Sequence, residues 1–290
     1  MNKVLSLAFS PCPNDTYIFH AMINNLVDTK GIGFKTHMAD VEELNKGAEE
    51  EKYDICKLSY NAYCQLQDKY LMLRSGSALG FNNGPLLVKS EDNKKLSSNL
   101  PSNTLIAIPG EHTTAALLLK LAYPQLSNLK AMRFSNIEQA IIDKEVEAGV
   151  LIHEGRFTYK DMGLELIKDL GAHWQNTFSI PIPLGGIAIK RSLLKNPYIN
   201  KLVLPKLDSS PTKDIDKNNI EYIINSILKS SIQYAMQNPK ASENFIAENA
   251  QELSKDIQKK HIELFVNKYT LDIDEIGEKA INKLAYLSSL

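Results

Sequence analysis

Residues 4–21, VLSLAFSPCPNDTYIFHA, hold a strand pattern, a proline break and a helical pattern in direct succession. The run at residues 4–9 is apolar enough for a buried strand, and the two prolines that follow end it. Asn14 or Asp15 is suited to begin the next helix, because both residue types cap helix N-termini. A strand that leads directly into a helix is the repeating unit of α/β folds, so this segment predicts an α/β protein.

The same alternation of apolar runs and helical patterns continues along the chain. Further strands are predicted at residues 53–57, 86–89, 104–108 and 147–152. Strands that are joined through helices run parallel, so we expect mostly parallel sheets. The stretches 41–56 and 137–152 share an order of helix, polar turn and buried strand. This likeness indicates two lobes of similar construction.

The apolar stretch SIPIPLGGIAIK, residues 179–190, suits a strand that crosses back between the lobes, and helical patterns fill most of the remaining chain. We therefore expect a discontinuous first lobe, residues 1–88 and 187–290, which includes the C-terminal helices. Residues 89–186 form the second lobe in this prediction. The active site is expected in the cleft between the two lobes.

The composition excludes several classes of protein. The chain has 290 residues, of which 43% are hydrophobic and 23% charged, as in ordinary globular proteins. Lys and Arg number 33 against 34 Asp and Glu, so the basic excess that a nucleic-acid binder needs is missing. Three cysteines without a CxxC pair predict neither a disulfide framework nor a zinc ribbon. The expected partner is a small molecule rather than nucleic acid.

The apolar runs are too short for a membrane protein or an exported one. A membrane-spanning helix needs about 20 apolar residues. A signal peptide needs an apolar region of about 7–15 residues, which is more than the run at residues 4–9 provides. The sequence thus predicts a cytoplasmic protein without a membrane span, and leaves its oligomeric state open.

Polar residues follow four of the predicted strands at the point where each strand ends. In chain order they are Ser10, Asn14 and Asp15; Lys57 and Ser59; His112, Thr113 and Thr114; and His153, Glu154 and Arg156. Ligands of open α/β sheets bind beyond the carboxyl ends of the strands, and helix N-termini favour anions. These junctions therefore predict a crevice for a small polar ligand, with a helix start that suits a carboxylate or a phosphate.

The residues by themselves leave alternatives open. Asn14, Asp15 and Ser59 are also good helix caps. His153 ends a buried strand, where an imidazole can act as a general base or hydrogen-bond a backbone carbonyl. Cys12, between two prolines near a helix start, is a candidate nucleophile.

Metal and nucleotide motifs are missing from the sequence. No two histidines have the spacing of a metal site, and the sequence contains no GxGxxG, P-loop or GxSxG motif. We therefore expect no metal and no cofactor.

Seven stretches resemble the 1,4-dihydroxy-6-naphthoate synthase family of the futalosine route to menaquinone. They are SPCPNDTYIFHA (residues 10–21), KLSYNAY (57–63), RSGSALGFNNGPLLV (74–88), IPGEHTTAALLL (108–119), EAGVLIHEGRFTY (147–159), PLGGIAIKR (183–191) and HIELFVNKYTLDI (261–273). The resemblance covers nearly the whole chain. SPCPNDT together with IHEGRFTY is its most specific part.

The resemblance implies a periplasmic-binding-protein-like (type II) fold of two α/β lobes. It also implies a cofactor-independent lyase that converts cyclic dehypoxanthine futalosine, a carboxylate, to 1,4-dihydroxy-6-naphthoate. By position, His153 matches the family's proposed proton acceptor. The matching substrate-binding residues are Lys57, Leu58, Ser59, Thr114 and Ala115, with Thr113 adjacent.

Three other functions remain possible from the sequence. One is a small-anion binding protein of the same fold, because fold alone does not decide function. The second is the sister chorismate dehydratase of the same pathway, which SPCPNDT and IHEGRFTY disfavour. The third is a transferase that depends on Cys12.

Overall fold

The computed structural model of the chain describes residues 3–194, 219–250 and 253–290. Within these ranges two β-sheets are flanked by helices, so the α/β class predicted from the sequence is confirmed. The segment 195–218, which belongs to the predicted first lobe, lies outside the described residues. In the same ranges, no helix is long and apolar enough to cross a bilayer.

The first sheet has the strand order β2-β1-β3-β11-β4, and β5 also pairs with β11. Its strands are β1 (Lys3–Phe9), β2 (Ile32–Met38), β3 (Ile55–Ser59), β4 (Tyr70–Met72), β5 (Ala78–Gly80) and β11 (Ile182–Lys190). β3 is buried along its whole length, because it lies between β1 and β11.

The second sheet has the order β10-β6-β9-β7-β8. Its strands are β6 (Leu86–Ser90), β7 (Ile106–Ile108), β8 (Leu129–Ala131), β9 (Ala148–Leu151) and β10 (Leu164–Asp169). β6, β7 and β9 form its buried centre, whereas β8 is an exposed edge.

Helices cover both sheets. They are α1 (Pro13–Ile23), α2 (Val41–Glu49), α3 (Tyr60–Gln65), α4 (Thr114–Ala122), α5 (Ile137–Ile142), α6 (Gly155–Thr158), α7 (Leu170–Phe178), α8 (Arg191–Leu194), α9 (Ile220–Gln237), α10 (Glu243–Asn249), α11 (Lys255–Phe265), α12 (Lys268–Leu271) and α13 (Glu275–Ser288).

The sheets are mixed rather than mostly parallel, so that expectation from the sequence was wrong. β1 runs parallel to β2 and β3, and β7 runs parallel to β8 and β9. β11 is antiparallel to β3, β4 and β5, and β6 is antiparallel to β9 and β10. β6 and β11 are the first strands after the chain changes sheet. The strand before each of them lies in the other sheet, so no crossover within one sheet sets their direction.

The chain enters the second sheet between β5 and β6 and returns between β10 and β11. The last helix, α13, does not belong to one sheet alone. Its Ala280 and Leu284 pack in a core that includes Tyr60 of α3 and Leu117 of α4. The division into lobes at residues 88 and 186 remains a prediction.

Helix α9 fixes the position of α1 beside the first sheet. Leu7 and Phe9 of β1 and Ile224 of α9 are buried in the same core. The Ser231 hydroxyl of α9 donates a hydrogen bond to the Ile18 carbonyl of α1 at 2.6 Å. A buried bond of this kind is costly to break, so the first turn of α1 is held at the end of β1.

Candidate functional site

A crevice lies where polar ends of strands from both sheets meet. Its empty volume, which includes the open mouth, is ≈ 690 Å³. All ten predicted site residues line it: Ser10, Asn14, Asp15, Lys57, Leu58, Ser59, Thr113, Thr114, Ala115 and His153. The fold thus brings these residues together, and their individual roles remain predictions.

Asp15 is the centre of a buried hydrogen-bond network on one side of the crevice. Its carboxylate accepts from Lys57 Nζ at 2.8 Å, from the Ser10 hydroxyl at 2.8 Å and from Asn14 Nδ2 at 2.8 Å. The Ser10 backbone N–H adds a fourth bond at 3.2 Å. The Asp15 and Lys57 side chains are only 1% and 9% exposed, so their charges are largely withdrawn from water. A carboxylate with this many partners serves to hold Lys57 in place.

The local sequence explains how Asp15 and Lys57 reach each other. Pro13 occupies the first position of α1, where its missing N–H leaves no bond unmade. Asp15 then lies in the first turn of α1, behind the end of β1. On the facing strand β11, a Cβ at Gly185 would come within 2.8 Å of the Leu58 carbonyl and 3.3 Å of Lys57 Cε. Glycine at this position leaves room for the Lys57 side chain.

Ser59 does not act as the helix cap that its sequence position allows. It precedes α3, but its side chain makes no capping bond. Instead its hydroxyl accepts a hydrogen bond from Asn45 Nδ2 at 3.1 Å, and its backbone N–H donates to Asn45 Oδ1 at 3.0 Å. Asn45 is buried in α2, so it holds Ser59 against the first sheet.

Thr113 and Thr114 are held differently, because their hydroxyls already have partners. Thr113 caps α4 by accepting from the Ala116 N–H at 3.2 Å, and its hydroxyl donates to the Gly110 carbonyl at 2.7 Å. The Thr114 hydroxyl donates to the Leu184 carbonyl at 2.8 Å. What this helix start offers a ligand is therefore its backbone. The first N–H groups of a helix precede any intrahelical acceptor, and the helix dipole makes them attractive to an anion.

His153 follows β9 with a left-handed backbone, at φ 52°. Its ring packs against Phe134, with centroids 4.9 Å apart, and no hydrogen bond joins it to another described residue. Burial lowers the pKa of His153 to about 4. Asp15 counteracts this shift and Lys57 adds to it. The ring is therefore neutral near pH 7 and has a nitrogen lone pair available. Among the described residues no backbone carbonyl accepts a hydrogen bond from the ring, whereas the structural alternative required such a bond.

Two further groups lie beside His153. Cys12 Sγ and one ring nitrogen each of His153 and His261 lie within 4.8 Å of one another. The His261 ring is nearly parallel to that of His153, at 13° with centroids 5.9 Å apart. Burial lowers the pKa of His261 well below its usual value and raises the pKa of Cys12 well above its own. A thiol that stays protonated is a poor nucleophile, which disfavours the transferase alternative.

Three polar residues of the site were missed or left unassigned by the sequence reasoning. Asn83 lines the crevice and is 1% exposed, yet neither atom of its amide has a partner in the described structure. Arg156 also lines it, and donates to the carbonyls of Asn82 and Gly84. His261 lies in α11, away from the four strand ends that the sequence singled out. The Asn82-Asn83 pair beside the Gly84-Pro85 turn was a visible signal for the crevice edge. His261 had no comparable local signal.

A family described as menaquinone biosynthesis matches residues 5–289 of the chain. A 1,4-dihydroxy-6-naphthoate synthase from Thermus thermophilus is 36% identical over 282 residues, which is 97% of this chain and 93% of the relative. A synthase of the same name from Streptomyces coelicolor is 33% identical over 285 residues, which is 97% and 91% of the two chains.

Solved structures are similar to this fold as well. A crystal structure of an Archaeoglobus fulgidus protein has a TM-score of 0.80 at 30% identity, covering 99% of this chain and 97% of that one. A Candida albicans protein described as having the generic periplasmic binding protein fold has a TM-score of 0.70 at 12% identity, covering 99% and 90%. The periplasmic-binding-protein-like fold predicted above is thereby confirmed.

Proposed function

The chain belongs to the menaquinone-biosynthesis family, and we propose that it catalyses the 1,4-dihydroxy-6-naphthoate synthase reaction in the crevice, with His153 as general base. It is an enzyme of menaquinone biosynthesis. The proposed substrate is cyclic dehypoxanthine futalosine, a small carboxylate. A cytoplasmic location is part of the proposal, since biosynthesis of this kind uses intracellular precursors.

The substrate's anionic end is assigned to the start of α4. The backbone N–H groups of Thr114 and Ala115 point outward from the first turn, and the helix dipole favours a carboxylate there. Lys57, at the other side of the crevice, contributes an ammonium whose position is fixed by Asp15. Ser59 and Leu58 complete the adjacent surface of β3.

Asn83 is assigned to a polar group of the substrate. A buried amide without a protein partner is unfavourable unless a ligand supplies the missing hydrogen bonds. The amide carries both a donor and an acceptor, so it suits a hydroxyl group, which has both as well.

The reaction requires that a C–H proton leaves, that the sugar-derived portion departs and that the remaining bicycle becomes aromatic. His153 accepts the proton on a ring nitrogen and becomes an imidazolium. Asp15 stabilises the new positive charge, as its effect on the pKa of His153 indicates. A well-placed general base contributes about 10²–10⁴-fold to the rate. Binding in the crevice contributes further by orienting the substrate.

The observation that carries the proposal is the position of His153. Its imidazole lies on the wall of a crevice lined by the family-matching residues and makes no hydrogen bond to any residue that the structure describes, and burial lowers its pKa to about 4. The test is incubation of the purified protein with cyclic dehypoxanthine futalosine, without added cofactor. We expect the naphthoate product to form. Binding without turnover would instead indicate a small-anion binding protein. Turnover of chorismate in place of this substrate would indicate the sister dehydratase.

A further inference from the structure

Beside the crevice, the fold assembles a thiol and two imidazoles from three distant parts of the chain. Cys12 precedes α1, His153 follows β9 and His261 lies in α11. The Cys12 Sγ and one nitrogen of each ring lie within 4.8 Å of one another. Of the three residues only His153 lines the crevice, so the cluster extends from the crevice wall into the protein.

His261 provides an independent indication that something binds there. It is fully buried, and neither of its ring nitrogens has a hydrogen-bond partner in the described structure. A neutral imidazole carries one N–H donor and one acceptor, and buried polar atoms nearly always have partners. Its ring contacts are with Phe265, at 4.6 Å between centroids, and with His153. Neither ring contact supplies a hydrogen bond to a nitrogen of His261.

The three donors suit zinc. Zn²⁺ prefers thiolate and imidazole ligands in a tetrahedral arrangement, with bonds of about 2.0–2.3 Å, which places the donor atoms about 3.4–3.6 Å apart. Side-chain rotations that bring the donors about 1 Å closer together reach this spacing from the 4.8 Å limit of the cluster. Three protein ligands leave a fourth position open, as in catalytic zinc sites.

The charges around the cluster do not decide whether an ion binds. Asp15 and Lys57 both act on Cys12, and they are paired with each other at 2.8 Å. Binding would release the thiol proton to solvent, because the thiolate is the form that ligates metal.

We propose that Cys12, His153 and His261 form a binding site for Zn²⁺. Because the ion would occupy a ring nitrogen of His153, a zinc-bound molecule has no free base at this position. The site is therefore inhibitory for the reaction proposed above, and that consequence, unlike the binding itself, rests on the proposed function.

The test measures binding first. Chelator-treated protein is titrated with Zn²⁺ by calorimetry, and Co²⁺ is used in parallel because its thiolate complexes absorb characteristically. We expect one ion per chain and a cobalt–thiolate band. Substitution of a residue that only hydrogen-bonds to a metal ligand typically weakens metal binding about 10–100-fold. Cys12→Ser and His261→Gln each remove a ligand itself, so each should weaken Zn²⁺ binding by at least about 100-fold. Both substitutions keep nearly the original volume, and thermal unfolding checks that the variants fold.

Matched controls come from the same chain. Cys64→Ser removes a partly buried thiol and His37→Gln removes an imidazole on β2, both away from the cluster. Both should bind Zn²⁺ like the original protein. The proposal is overturned by the absence of stoichiometric binding at tens of micromolar Zn²⁺, or by binding that survives Cys12→Ser and His261→Gln.

The second measurement is turnover at increasing Zn²⁺. The activity of the original protein should fall as Zn²⁺ occupies the site and should return when chelator is added. The activity of His261→Gln should stay at its own metal-free rate over the same range of Zn²⁺ concentrations. Stoichiometric binding through the three residues without inhibition would leave the zinc site standing. It would instead contradict the role of His153 as the base.

Discussion

The two sides of the crevice differ in how far their polar side chains are hydrogen-bonded to the protein. On the first side, formed by Ser10, Asn14, Asp15, Lys57 and Ser59, every side chain makes at least one hydrogen bond to another protein group, although Asn14 Oδ1 has no partner among the described residues. On the second side, formed by Asn83 and His153, neither side chain hydrogen-bonds to a residue that the structure describes. Side chains that hydrogen-bond to one another hold fixed positions. A buried polar side chain without such a bond is available to bind a ligand or to take part in the reaction. We therefore predict that the first side orients the substrate and that the second side acts on it.

The largest expected effect comes from His153→Asn on the second side. Asn tolerates the left-handed backbone at this position better than most residues, so the variant tests the imidazole and not the backbone. We expect kcat to fall by about 10²–10⁴-fold, which is the contribution of a general base. The melting temperature should change little, because the ring makes no hydrogen bond to the described part of the chain.

The matched control for this substitution is His173→Asn in α7, which should leave kcat unchanged. Steady-state kinetics and thermal unfolding of both variants decide the question. If a folded His153→Asn retained near-normal kcat, the general base would have to be sought elsewhere in the crevice, and the contrast between its two sides would lose its catalytic meaning.

A large effect on stability is expected from Lys57→Met on the first side. The change leaves the Asp15 carboxylate buried without its cation, and breaking a buried ion pair in this way costs about 3–5 kcal/mol. Urea unfolding measures the loss directly. A loss below about 1 kcal/mol, the range of exposed pairs, would show that Ser10 and Asn14 alone satisfy the carboxylate.

A smaller effect, on binding, is expected from Asn83→Leu. An unpartnered buried amide contributes nothing to the fold, so the free energy of unfolding should stay the same or rise. Losing its hydrogen bond to substrate should raise KM about tenfold, which corresponds to about 1.4 kcal/mol. The exposed Asn128→Leu serves as the control for KM. An Asn83→Leu variant with normal KM and lower stability would place Asn83 with the first side instead.

The smallest effect is expected from Lys130→Met, which repeats the Lys57 substitution at an exposed ion pair. Lys130 and Glu145 are 3.2 Å apart, with side chains 47% and 58% exposed. Water solvates both charges whether or not they pair, so the loss should be about 0–1 kcal/mol. Urea unfolding of the two Lys→Met variants side by side measures what burial adds to an otherwise similar contact. Equal losses of unfolding free energy in Lys57→Met and Lys130→Met would show that burial does not strengthen the Asp15–Lys57 pair.

Much of the fold was predictable because its signals are local. The apolar run of β1, the prolines and the helical pattern of α1 stand next to one another in the chain, and each segment's periodicity reports its own secondary structure. The directions of β6 and β11 were not predictable in this way, because strand direction depends on which neighbour a strand meets in space.

The candidate site shows the same difference between features with a local sequence signal and features that depend on tertiary contacts. Sequence position alone predicted a ligand-binding crevice at the ends of β1, β3 and β9 and at the start of α4, because ligands of α/β proteins bind at such junctions. It left capping open for Asn14, Asp15 and Ser59, since a cap and a crevice residue use the same residue types. The bond from Asn45 to Ser59 resolved one of these alternatives, and Asn45 lies on a different element.

The sequence, together with the family resemblance that it carries, predicted the α/β class, a crevice and ten of the residues that line it. The tertiary structure alone decided which of their polar groups are satisfied, and that His261 from a C-terminal helix lies against His153. The physical reason is that periodicity and capping act over a few neighbouring residues. Hydrogen-bond satisfaction and the meeting of distant side chains depend on how whole elements pack, and no local pattern records that.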